Sequence, residues 1–414
     1  MSADFDIVIV GAGAAGIGAA RKLSSAPLSV LLVEASARIG GRAWTFDLAG
    51  SPLDLGCEWL HSGERNAWAR LAEASGFAIE RGEAAWGSQF RNLKFSAQEQ
   101  DAAHQAFGAW AARLACVDPR SDCAGDALEP NGTWNAYIQA ITGFISGAAP
   151  AAISAKDFAA YDDASSEANW RAPAGYGALV AANLPARIAL RLATPIASIA
   201  LDGAGVILTT PAGVLRARAV ILTVSTRVLA SGAMALPAAL DAWRDAASAL
   251  PLGRNEKVFM EIVGDGAFEA ETHALGDPRD PRTGSYYIRP LGRPVIECFF
   301  GGDGAGAIEA EGPAAGFAFA ADQLAGRFGS DVRRALRPLV ATCWGRMTHI
   351  GGAYSYARPG RAAARAVLAR PFESRVFFAG EATHAFDFST AHGAYDSGRR
   401  AAEEAMAALA MRRA

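Results

Sequence analysis

The chain opens on a nearly continuous apolar run, FDIVIV at residues 5–10, rich in β-branched side chains and therefore read as a strand. The segment GAGAAGIGAARKL then passes into helical spacing, and LSVLLVE supplies a second apolar run; strand, turn, helix and strand make a βαβ unit. From about Trp68 to Trp170 the pattern changes to Ala-rich helical stretches such as DAAHQAFGAWAARLA, broken by Gly and Pro, which predicts a helical insertion. Between Ile188 and Val224 it becomes strand-like again (LATPIASIAL, GAGVILTT, RARAVILTV), with turns at DGAG and PAG. This is read as a hairpin meander returning to the first sheet. Residues 236–300 mix a helix, LPAALDAWRDAASAL, with the strands NEKVFMEIV, GSYYIRP and PVIECFF, and the helix FAFAADQLAGRFG follows. After a loop from Ile350 to Gly360, the strand RVFFAGEA and the helix HGAYDSGRRAAEEAMAALA close the pattern.

Strand, glycine and helix thus recur at both termini. The economical topology is an α/β chain in two parts, for which 414 residues is ample. One Rossmann-like domain is assembled discontinuously from 1–80, 175–235 and 361–414, and an α+β domain is built from 81–174 and 236–360.

Composition narrows the class. With 51% hydrophobic and 20% charged residues the chain reads as an ordinary soluble protein, and 39 Lys plus Arg against 42 Asp plus Glu offer no electrostatic reason to bind nucleic acid or anionic lipid. The five cysteines (Cys57, Cys116, Cys123, Cys298, Cys343) are odd in number and form no CxxC, which argues against a disulfide framework and a zinc site. The first apolar stretch lacks the basic flank of a signal peptide, no run reaches the ~18–20 apolar residues of a membrane span, and AAEEAMAALAMRRA reads as a short amphipathic helix. The expectation is a cytoplasmic protein, monomer or homodimer, with no metal, nucleic-acid or membrane partner.

The first chemical motif is GxGxxG, formed by Gly11, Gly13 and Gly16 between a strand and a helix, the context this motif requires. One glycine permits a tight turn, one lets backbone approach a pyrophosphate, and one lets helix and strand pack closely; Ala15 lies in the same first turn. Phosphates are favoured at a helix N-terminus by unpaired N–H groups and the dipole. Glu34 ends the second strand, where a carboxylate binds both hydroxyls of an adenosine ribose and repels a 2′-phosphate. These residues leave NAD and FAD undivided.

Beyond Glu34 the run EASARIGGRAW, with Arg38, Gly40, Gly41 and Arg42, resembles the extended signature of the flavin amine oxidase family. FFAGEATHAFDFSTAHGAYDSGRRAA, residues 377–402, is similar to the C-terminal flavin motif of polyamine and spermine oxidases and the related histone lysine demethylases. The resemblance implies the glutathione-reductase-like FAD fold of that family, with a noncovalent FAD. It places Arg42 against the pyrophosphate, Glu381 at the ribityl or pyrophosphate region, and the N–H groups around Thr390, Ala391 and His392 on the flavin pyrimidine. A helix N-terminus suits the negative charge that reduced flavin carries there. Gly393 and Gly398 are read as room for the isoalloxazine.

Further stretches match in chain order. LDLGCEWLHS, residues 53–62, resembles the segment under the flavin, with Gly56, Trp59 and His61 in the matching places, and Ile196 matches the position whose backbone contacts adenine. RAPAGYGALV resembles the family's glycine-rich segment, although Ala174 stands where a second glycine is common. Lys257 in NEKVFMEI falls where these oxidases hold a lysine that reaches flavin N5 through a water, and a lysine among apolar strand residues needs a partner. In HIGGAYSYARPG, Ala353 takes the place of the cysteine that monoamine oxidases link to the flavin, and Tyr354 matches one wall of their aromatic cage. The other wall falls on Thr390, with Trp344 a substitute face.

The implied activity is hydride transfer from the carbon bearing a neutral amine, giving an imine that hydrolyses to aldehyde plus amine, while O2 becomes H2O2. His61 matches a histidine of mammalian-type polyamine oxidases and so favours a polyamine, for whose distal ammonium groups Glu58 and Asp163 are candidate anchors. The alternatives are another flavoenzyme of this architecture, such as a desaturase or porphyrinogen oxidase, and a flavin-binding protein without catalysis. Lys257 and the C-terminal motif speak against the first, and the absence of a helical tower or basic surface speaks against the second.

Overall fold

The computed structural model describes residues 3–48, 50–87, 89–264 and 268–412. Strand β1 (Phe5–Val10) buries Ile7, Val8 and Ile9 completely, so neither face meets water, and consecutive apolar positions are what such a strand requires. Helix α1 (Ala14–Leu23) leads to β2 (Val30–Val33), which runs parallel to β1 with Ile9 opposite Leu32. The antiparallel pair β3 (Thr45–Leu48) and β4 (Ser51–Asp54) and the short β5 (Trp59–Leu60) follow.

The expected helical insertion comprises α2 (Ala67–Ala74), α3 (Ala97–Arg113), α4 (Asn135–Ser146) and α5 (Ala155–Ala164). Helix α3 starts at a reciprocal cap: Ser96 Oγ accepts the Glu99 N–H at 3.3 Å, and Glu99 Oε2 accepts the Ser96 N–H at 2.9 Å. The insertion closes on β6 (Trp170–Arg171), which pairs with β5.

Helix α6 (Tyr176–Ala182) and β7 (Ala189–Arg191) return the chain to the first sheet, and the meander is β8 (Ser198–Asp202), β9 (Gly205–Thr210) and β10 (Gly213–Leu222). The early part of β10 pairs antiparallel with β9, while its later part runs parallel to β1. Helices α7 (Thr226–Ser231) and α8 (Asp241–Ala249) then lead to a second sheet. It contains β11 (Asn255–Ile262), β12 (Thr272–Leu275), β13 (Ser285–Ile288), β14 (Val295–Gly301) and, after α9 (Gly302–Glu311) and α10 (Pro313–Phe328), β15 (Leu336–Ala341). The order β12-β13-β14-β11-β15 is antiparallel throughout. Finally α11 (Ala364–Leu368), β16 (Val376–Phe378) and α12 (Ala391–Met411) return to the first sheet, whose order is β7-β2-β1-β10-β9-β8 with β16 parallel against the end of β10.

The patterning gave no sign of β12, α9 or β15. Strand β15 carries Pro338, which is tolerated because β15 is an edge. Helix α9 reads GDGAGAIEAE, a poor helix former, yet a Cβ on Gly304 would lie 2.6 Å from Arg282 O. Close packing therefore overrides propensity there.

Candidate active site

The C-terminal ends of β1 and β2, the start of α12 and one side of the second sheet enclose a single cavity of about 850 Å³. Its size lies within the ~300–1,000 Å³ usual for ligand sites. At one end, Gly11 adopts φ +104°, a left-handed backbone that glycine accepts without strain, and Gly13 caps α1 without any side chain. Gly13, Ala14 and Ala15, at the start of α1, line the cavity. Gly16 does not reach the wall; a Cβ there would lie 1.9 Å from Gly11 O, so its role is the packing of helix on turn. Glu34 Oε2 accepts the Ala12 N–H and Oε1 the Ser36 N–H, both at 2.8 Å. Each oxygen keeps a lone pair for a ligand hydroxyl. Ile196 lies on the wall near this end.

The middle of the cavity is bound together by Glu381, which is nearly fully buried. Its Oε1 receives Arg42 Nη1 at 3.0 Å and the Ser355 N–H at 3.1 Å, while Oε2 receives Ser355 Oγ at 2.6 Å and the Ser389 N–H at 3.0 Å. Burial alone would raise its pKa, but Arg42 and Arg365 outweigh it and hold the group ionised below the ordinary value. Arg42 also donates to Ala353 O, and a Cβ on Gly56 would strike Arg42 O. Buried Arg365 in turn forks onto Asp157 at 2.6 and 2.7 Å, tying the helical insertion to this network.

Helix α12 presents its N-terminus to the same cavity through Thr390 and Ala391. Thr390 Oγ1 accepts the Gly393 N–H at 3.0 Å, and Trp68 Nε1 donates to Ala391 O at 3.0 Å. Two helix N-termini thus open onto one space, a donor set suited to a ligand negative at two places. Gly398 has a different role from the one expected: a Cβ there would lie 1.9 Å from Ala15 O, so its bare backbone serves the contact of α12 with α1.

Lys257, on β11, points its ammonium at three acceptors. Nζ lies 2.7 Å from Glu297 Oε1, 2.9 Å from Glu58 Oε2 and 3.0 Å from Asp54 O. An ammonium has three donors, and all three are used. Burial would lower its pKa, yet the two carboxylates raise it above the ordinary value. Burial and the neighbouring Glu58 push Glu297 well up, whereas Lys257 overcomes burial to hold Glu58 down. Glu297 was missed by sequence reading. The signal was an acid inside the apolar strand PVIECFF; Lys257 faces Phe299 and Glu297 faces Phe259, so the pair meets diagonally and only the register reveals it.

Of the remaining candidates, Trp59, His61, Trp344 and Tyr354 line the same cavity. His61 Nδ1 lies 2.7 Å from Asn169 Oδ1, and burial lowers its pKa despite that bond, leaving it neutral at pH 7. Trp59 lies 5.9 Å from Tyr287 between ring centroids, with the Arg171 guanidinium 5.1 Å from its own ring. Tyr354 donates to Phe144 O, and Trp344 meets Trp44 edge-on at 6.3 Å. Glu58 is engaged by Lys257, and Asp163 is exposed and absent from the wall.

Three comparisons bear on this arrangement. The family described as "Flavin containing amine oxidoreductase" matches residues 14–82 and 98–406. Pseudooxynicotine dehydrogenase of a Pseudomonas species is 41% identical over 68 residues, 16% of this chain and only 14% of that protein. Polyamine oxidase 4 of Oryza sativa subsp. japonica is 27% identical over 442 aligned positions, spanning 98% of this chain and 90% of that one. The solved cyclohexylamine oxidase of Brevibacterium oxydans superposes with TM-score 0.72 at 22% identity, over 99% of this chain and 100% of that chain, which shows a shared fold.

Proposed function

The chain belongs to the flavin containing amine oxidoreductase family, and from that premise we propose that it oxidises an amine with a noncovalently held FAD. The observation that carries this reading is the shared cavity of the α1 and α12 N-termini with Glu34, Arg42 and Lys257. The two uncapped or lightly capped helix ends suit pyrophosphate and the flavin pyrimidine, and Glu34 retains lone pairs for ribose hydroxyls. Ala353, with no sulfur to form a link, supports noncovalent binding. A bound flavin would supply two-electron oxidation at the carbon next to a neutral amine, so that an imine would hydrolyse to aldehyde plus amine and O2 would be reduced to H2O2.

The protein's own residues orient and exclude. Segments 1–80, 175–235 and 361–414 hold the cofactor in this reading, and 81–174 with 236–360 shape the amine pocket. His61, neutral and with its Nδ1–H donating to Asn169 Oδ1, is left with Nε2 as an acceptor for an amine N–H. Tyr354 and Trp344 supply apolar faces beside Thr390. Lys257 anchors Glu58 and Glu297, and would turn a donor toward the cofactor only by releasing one of its three acceptors. The place of His61 and the name of the rice relative favour a polyamine, whereas the far half of the cavity favours an amine with one basic nitrogen, so the substrate proposed is an amine. The five free thiols suit a cytoplasmic setting, and among the described residues no helix is long and apolar enough to cross a membrane.

The test is the visible spectrum of the purified protein under anaerobic addition of spermine, spermidine, putrescine and tyramine. Bleaching of a flavin band by an amine is expected, with peroxide on readmitting air. Acid precipitation should leave the flavin in solution. Protein that stays colourless after FAD is supplied would overturn the reading.

A further inference from the structure

We propose that the amine taken by this site carries one basic nitrogen and an uncharged, flat remote end, which rests against Gln89 between α3, α4 and the second sheet. This rests on the amine-oxidation reading and adds the substrate's far half. The end of the cavity between α3, α4 and β12 is walled by Trp86, Gln89, Phe95, His104 and Tyr137. Among the described residues, the stretch 86–104, α4, β12 and β13 contribute no Asp, Glu, Lys or Arg to that wall.

The carboxylates that do line the cavity are committed elsewhere. Glu34 holds the turn before α1, Glu381 holds Arg42, and Glu58 and Glu297 share Lys257. A second ammonium carried to the far wall would shed water and meet only amides, imidazoles and rings, an unfavourable exchange for a charge. His273 belongs to this end too, and burial lowers its pKa to about 4, so it adds no charge at neutral pH.

The wall does offer what a flat neutral group needs. Phe95 and Tyr137 lie 6.4 Å apart between centroids, with Trp134 at 6.0 Å from Phe95 behind them, a geometry in which a further ring finds edges and faces. Gln89 Oε1 accepts the Leu275 N–H at 2.8 Å, which fixes the amide the right way round and leaves Nε2 buried without a partner among the described residues. A hydrogen-bond acceptor on the remote group would give that donor its partner.

The experiment uses anaerobic titrations of the holoenzyme with hexylamine and hexamethylenediamine, which share a six-carbon chain, and with phenylbutylamine and the longer spermidine. Hexylamine is expected to half-saturate flavin bleaching at a concentration about tenfold or more below hexamethylenediamine, and phenylbutylamine lower still. The ligand-induced rise in Tm should follow the same order. Gln89→Glu places a carboxylate on the wall and should close or invert the monoamine preference; His104→Asp serves the same purpose if the first variant does not fold. Diamines or spermidine saturating at equal or lower concentrations in the unaltered protein would overturn the inference while amine oxidation stands. A wall charge that leaves the preference unmoved would likewise overturn it, and bleaching by no amine at all would take down both readings.

Discussion

Arg42 and Glu381, 339 positions apart in the chain, meet at 3.0 Å between Nη1 and Oε1. The contact joins the segment after β2 to the segment after β16, and Ser355 and Ser389 complete the same carboxylate. The two termini are thus locked together in the middle of the cavity.

Replacing Glu381 by Gln should lower stability by ~1–3 kcal/mol, since Arg42 is partly exposed and stays hydrated while the buried hydrogen bonds are weakened. The pH dependence has a definite sign. A folded pKa held below the ordinary 4.5 contributes stability that is present above that value and is lost as pH falls through the folded one. Urea unfolding across the acid range should show this limb flattened in Glu381→Gln, and the variant should release its flavin at lower denaturant.

Lys257→Met should destabilise the fold as well as alter the site. It leaves Glu58 and Glu297 buried without their shared cation, a loss of ~3–5 kcal/mol. Adding Glu297→Gln should recover part of that, and a double-mutant cycle in urea measures the coupling. A single variant as stable as the unaltered protein would count against the ammonium bridge.

Gly398→Ala should disturb the cofactor end from a distance. The new Cβ would meet Ala15 O at 1.9 Å, so α12 must move away from α1, at ~1–3 kcal/mol or more. Thermal melts and flavin retention on gel filtration should fall together.

Glu256 gives the opposite pH sign. It receives the Trp344 N–H at 2.7 Å and the Thr342 hydroxyl, and burial raises its pKa to about 8, with Glu309 adding to the rise. The folded chain then retains a proton that the unfolded chain gives up above 4.5, so stability declines as pH rises from about 4.5 to about 8. Glu256→Gln should flatten that decline in urea titrations.

Much of the fold was legible because local patterns carry it. FDIVIV followed by glycines and a helix admits few structures besides β1 and α1, and the Ala-rich stretch after Trp68 yielded the helices of the insertion. Strand β15 and helix α9 were not legible, because an edge position excuses Pro338 and a close contact at Gly304 excuses the glycines. Both permissions come from neighbours distant in sequence.

The site divides the same way. Residue types and spacing determined that a glycine-rich turn before a helix lies at one terminus and a second glycine-marked helix start at the other, since Gly11 and Gly13 act through their own backbone and Thr390 caps its own helix. Only the tertiary structure decided that Lys257 is shared by Glu58 and Glu297, and that Gly398 serves a helix contact instead of a ligand. Strand register and helix packing bring those groups together, and charges or bare backbone in contact across the fold leave no periodicity in the chain.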